Sequence, residues 1–193
     1  MNDQDLPPYD DQDAVWSRVA ALLPSEEEAE EVRGCREIGE QESGLLLLVD
    51  RLSGQGVAVS GPARAEIAVL AQEWTVWDQV GDRLAALPAA PLPPSGLRLF
   101  ADGDREPLPA ASVLPDGAPA EELYLVPWLA CAGCGRTLLR GHVREWWGLF
   151  FLARCYVVRA DDGAFAPRVF DTATDDDAVW HAFGALRASC VCA

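Results

Sequence analysis

The chain has 193 residues, half of them hydrophobic, and its 31 acidic residues outnumber 15 basic ones for a formal net charge of −16. That apolar content excludes a chain that is disordered throughout. The acidity argues against non-specific attraction to nucleic acid or to an anionic membrane, both of which call for a basic patch.

Residues 1–9 read as an acidic tail. They carry neither the basic start nor the apolar run of a secretory signal, which predicts a cytosolic protein. A lobe is expected over residues 10–87. It opens with a helix from Asp10 whose face holds Val15, Val19 and Leu22, with Trp16 and Leu23 beside it, and Pro24 closes it. Ser25 and Glu28 have the spacing of a capping box and open a short acidic helix that Gly34 can end. Leu45 to Asp50 and Val57 to Ser60 are expected to be strands, joined as a hairpin by Ser53-Gly54-Gln55-Gly56. Gly61-Pro62 begins the longest expected helix, with Ile67, Leu70, Trp74, Trp77, Val80, Leu84 and Leu87 along one stripe. Such a stripe predicts core rather than an aromatic binding groove.

Residues 88–96 hold four prolines and read as a linker to a second, strand-rich lobe over residues 97–193. Strands are expected at Leu97 to Phe100, Glu122 to Trp128, Thr137 to Arg140, Trp146 to Val158 and Phe165 to Phe170. Asp102-Gly103-Asp104 and Asp161-Asp162-Gly163 read as turns, without the spacing of a calcium loop. Thr174 is placed to cap a final helix, with Asp175, Asp176 and Asp177 at its positive end and Val179, Phe183 and Leu186 turned inward. Hairpins and long helices without strand–helix alternation indicate an α+β fold, an antiparallel sheet with packed helices.

Two cysteine pairs carry the chemistry. Cys131-Ala132-Gly133-Cys134-Gly135 can fold back as a knuckle between two strands, and Cys190-Val191-Cys192 follows the last helix. Four soft donors in two tight turns fit a structural, tetrahedral Zn2+ with no position left for water. The ligand set is therefore Cys131, Cys134, Cys190 and Cys192, although the 55 residues between the pairs, 135 through 189, exceed the span of a minimal zinc ribbon. His142 is a substitute ligand for Cys192, set against a plain strand-end or exposed histidine. His181 lies off the inner stripe of the last helix. Cys35 is isolated, and Cys155 sits in an apolar run as a small hydrophobe. A redox role for Cys131 and Cys134 would need a helix starting at the pair, and strands flank it instead.

Catalytic signatures are missing: there is no nucleophile elbow, no phosphate loop and no dinucleotide fingerprint, and only two histidines. The expected function is a non-enzymatic, zinc-stabilised acidic binding protein that engages a basic protein partner, most concretely an immunity protein or antitoxin facing a cationic toxin. The alternative is a zinc-ribbon regulator acting on nucleic acid or the transcription machinery, with Arg136, Arg140, Arg144 and Arg154 gathered on one surface. A thiol oxidoreductase is the third reading.

Overall fold

A computed structural model describes residues 12–90, 96–114, 122–160 and 166–188. The expected tail, most of the linker, the Asp161–Gly163 turn and both Cys190 and Cys192 lie outside the described residues. Among those described, six α-helices and seven strands form an α+β fold. The chain divides into two compact units, residues 8–93 and the strand-rich remainder.

The first unit is helical: α1 (Gln12–Ala20), α2 (Glu26–Glu37), α3 (Gln41–Gly54), α4 (Gly61–Glu73) and α5 (Trp77–Ala86). Ser25 caps α2, its hydroxyl accepting from the Glu28 N–H at 3.5 Å. Trp16, Leu45, Leu48, Leu52, Ile67, Leu70 and Leu84 are fully buried in its core. Arg64 is buried too. Its guanidinium donates to the carbonyls of Leu84 (3.1 Å), Ala85 (2.9 Å) and Leu87, and its Nε to Val59 (3.2 Å). It thereby satisfies acceptors that the end of α5 leaves open.

Three expectations fail in this unit. Gly34 does not end α2, which continues through it to Glu37. The strands at 45–50 and 57–60 are not a hairpin; the first lies inside α3. Leu45, Leu48, Val49 and Leu52 are the buried positions of that helix, a spacing of three and four that the unbroken apolar run concealed. The glycines assigned to a hairpin end the helix instead. Gly56 has φ 62°, its N–H donates to Ser53, and the Val57 N–H reaches back to Leu52, which is the Schellman pattern. The single helix from 61 to 87 is in fact α4 and α5. Thr75, at φ 54°, supplies the same left-handed turn: its N–H donates to Gln72 and that of Val76 to Ala71. A β-branched residue in that conformation gives no warning in the sequence.

The second unit is an antiparallel sheet: β1 (Leu97–Leu99), β2 (Leu108–Pro109), β3 (Leu123–Cys131), β4 (Arg136–Glu145), β5 (Gly148–Leu149), β6 (Cys155–Ala160) and β7 (Arg168–Asp171). Its order is β1-β3-β4-β6-β7, with β2 pairing β3 and β5 pairing β4. On one face Leu125, Leu139, Cys155 and Val157 pack with Ala110 and Leu114 of the segment after β2. The alternate residues Leu138, Tyr156, Val158 and Phe170 are also buried, and α6 (Ala178–Ala188) packs across β4, β6 and β7. Burial on both faces explains why these strands read as near-continuous apolar runs. Gly141 lets β4 and β6 approach closely, since a Cβ there would lie 2.5 Å from the Cys155 sulfur.

Two expectations fail in the sheet unit as well. Trp146 to Val158 is not one buried strand. Its first part is the tip of the β4–β5 hairpin and a loop, and only from Cys155 does it become the buried β6. The last helix begins at Ala178 rather than after Thr174, because Asp171 forms its own turn: its carboxylate accepts from Ala173 N–H and its carbonyl from Thr174. The Asp177 carbonyl then accepts the His181 N–H, opening α6.

Candidate functional site

Cys131 closes β3, and Cys134 stands just before β4, so a tight turn joins the two cysteines at the end of the central hairpin. The turn is closed by the Gly135 N–H donating to the Cys131 carbonyl at 3.1 Å, with Gly135 at φ 66°. No helix starts at either cysteine, so no helix N-terminus lowers the thiol pKa of the pair. Cys131 is buried, and Cys134 is partly exposed. Among the described residues no three His, Cys, Asp or Glu side chains gather where they could hold a metal. The other two expected ligands lie outside those residues, so the described half of the proposed site is the Cys131–Cys134 knuckle alone.

His142 is neither a strand-end nor an exposed residue. It lies within β4, opposite Tyr124, and is 4% exposed. Its Nδ1 is 2.7 Å from the Phe150 carbonyl. Burial, together with the neighbouring Arg140 guanidinium, pushes the imidazole down to about 4. It is therefore a neutral core side chain at pH 7. Cys155 is likewise inert, its thiol raised to about 11, chiefly by burial. His181 is exposed, as its position off the stripe anticipates, and faces Asp175 with Nδ1 2.7 Å from the carboxylate.

The arginines expected to form a nucleic-acid surface do not all reach one. Arg140 is 2% exposed, ion-paired with Asp102 and stacked over Trp128 at 5.5 Å from the ring centroid. Burial lowers its pKa and the Asp102 carboxylate opposes that shift. Arg144 lies over Tyr124 and donates to its hydroxyl at 3.0 Å.

Charge is unevenly divided between the units. Among described residues the helical unit holds fourteen Asp and Glu against six Arg, whereas the sheet unit holds nine of each. The acidic excess concentrates on α2, where Glu26, Glu27, Glu30, Glu31 and Glu37 are exposed. Beside them, Pro24, Ser25, Glu27, Glu28, Glu31, Arg51 and Gln55 line a shallow groove of about 530 Å³. Gln55 and Arg51, both hydrogen-bonded to Glu28, hold its carboxyl below its ordinary pKa.

The sheet unit presents a different surface. At the β4–β5 tip Trp146 is 94% exposed and Trp147 54%, with Phe151 52% exposed in the loop that follows. Sequence reading missed this tip because an apolar run looks the same whether it is buried or displayed. No protein family, curated protein or solved structure matches the chain.

Proposed function

We propose that the protein is a non-enzymatic binding protein, stabilised by a structural zinc, whose acidic helical unit engages a basic protein partner. Its most concrete form is an immunity protein or antitoxin that neutralises a cationic toxin in the cytoplasm. The observation that carries this reading is the uneven division of charge: residues 8–93 hold 16 acidic residues against 6 arginines, while the rest of the chain holds 15 against 9. A surface of one sign speeds encounter with a partner of the other sign and disfavours wrong ones.

The exposed Trp146 and Trp147 support a protein partner over a small ion, since indole side chains are frequent energetic anchors of protein interfaces. Among the described residues no helix is long and apolar enough to cross a membrane. The zinc, held by Cys131 and Cys134 with Cys190 and Cys192, would fasten the chain's last segment to the central hairpin and contribute folding energy rather than chemistry.

The reading is tested by affinity capture from the native host with the full chain and with a Glu27→Gln, Glu30→Gln, Glu37→Gln variant. A basic protein retained by the first and lost from the second supports it. Equal retention by both, or capture of acidic proteins only, refutes it.

A further inference from the structure

The sheet unit carries a second concave surface whose charge is opposite to that of the chain. Strand alternation places Thr137, Leu139 and Arg159 on the face that bears Leu125 and Val157. Where that face runs toward the knuckle, it opens into a cleft of about 530 Å³. Strands β1, β3, β4 and β6 contribute Arg98, Pro127, Thr137 and Arg159 to its lining. The loop between β1 and β2 contributes Phe100, Arg105 and Glu106. Among the described residues of the lining, three guanidiniums accompany one carboxylate in a chain whose net charge is −16.

Their placement is not that of ordinary surface arginines. The guanidinium carbons of Arg98 and Arg105 each lie 5.0 Å from the centroid of the same Phe100 ring. That ring is itself buried. Cation–π attraction to a fixed ring pre-orients both groups and limits the rotamer entropy lost when they bind. Neither forms an ion pair among the described residues. The loop is pinned as well: Asp104 accepts the Ala101 N–H at 3.0 Å, and Asp102 is tied to the buried Arg140. Leu108, Pro127 and Leu139 supply an apolar wall, and the volume is in the range of small-molecule sites.

We propose that this cleft binds a small anionic molecule, with Arg98, Arg105 and Arg159 holding a phosphate or carboxylate group and the apolar wall receiving the rest of the ligand. Guanidinium forks match the oxygens of either group in bidentate fashion. The site is separate from the acidic surface of the helical unit and does not depend on it.

Isothermal titration and thermal melts of the full chain at matched ionic strength test this, using pyrophosphate, inorganic phosphate and phthalate as probes. At least one should bind with a Kd in the millimolar range or tighter and raise the melting temperature. Arg98→Gln with Arg105→Gln, and separately Arg159→Gln, should weaken that binding about tenfold or more. Arg33→Gln, in the helical unit, should leave it unchanged. Preference for the phosphates over phthalate assigns a phosphate ligand, and the reverse order a carboxylate. Circular dichroism checks that the variants fold, and Arg159→Gln serves alone if the double variant does not. No binding of any probe, or binding that survives these substitutions, overturns the proposal.

Discussion

The guanidinium of Arg140, deep in the sheet, is ion-paired with the carboxylate of Asp102 on the loop after β1. The two ends of the pair differ in their access to water. Arg140 is 2% exposed, whereas the Asp102 side chain is about half exposed at 52%. Removing the carboxylate takes an ion-pair partner from a cation that water cannot reach, while removing the cation leaves an anion that water can solvate. Asp102→Ala is therefore expected to cost about 2 kcal/mol in urea unfolding, and Arg140→Met distinctly less. The opposite order would show that the pair is not what keeps the buried guanidinium in place.

His142 makes stability depend on pH in a definite direction. Its folded-state pKa, about 4, lies below the unfolded value of about 6.5, so the unfolded chain binds the extra proton between those values. The neutral, buried form is favoured at pH 7, and its contribution is lost as the pH falls from about 6.5 toward about 4. From pH 7 to pH 5 the loss should be about 2 kcal/mol. Chemical unfolding of the protein and of His142→Gln at both values measures it. The variant should show the smaller change, and parallel slopes would contradict this assignment.

Thr75 adopts a left-handed conformation at the end of α4 where glycine carries no steric penalty. Thr75→Gly should raise stability by about 1 kcal/mol, net of the entropy that glycine adds to the unfolded chain. A thermal melt reads this as an increase of a few degrees. A decrease would mean that the threonine side chain has packing that outweighs the strain.

The zinc proposal predicts about one Zn2+ per chain. Cys131→Ser, Cys134→Ser and deletion of residues 190–193 should each lower the melting temperature by several degrees or more, as should EDTA with mild heating. Cys35→Ser should change it far less. Native mass spectrometry that finds apo-protein with four free thiols, together with an unchanged melt on truncation, would end the proposal.

What could be read from the sequence depended on how local each signal was. The α+β character, the Ser25 cap of α2 and the knuckle turn between two strands rest on neighbouring residues, and reading them needs no tertiary context. Helix α3 was lost because four consecutive leucines satisfy a strand and a helix equally, and only packing against the other helices decides between them. The break at Thr75 was hidden because the apolar stripe runs through it without a glycine or proline. The display of Trp146 and the burial of Arg140 reverse what their residue types suggest. The cleft is not legible in the sequence because Arg159 lies far from Arg98 and Arg105 and joins them only when β6 pairs with β4, β4 with β3, and β3 with β1.

The central claim, an acidic unit that recruits a cationic partner, is tested most directly by the salt dependence of that binding. With the captured partner purified, its Kd for the full chain is measured by titration from about 50 to 500 mM NaCl, a range over which the Debye length shrinks from about 14 to about 4 Å. The account predicts a Kd that rises steeply with salt, through faster dissociation and slower association, and a shallower slope for the Glu27→Gln, Glu30→Gln, Glu37→Gln variant. Affinity that is flat or strengthens with salt, with the variant indistinguishable from the parent, would contradict it.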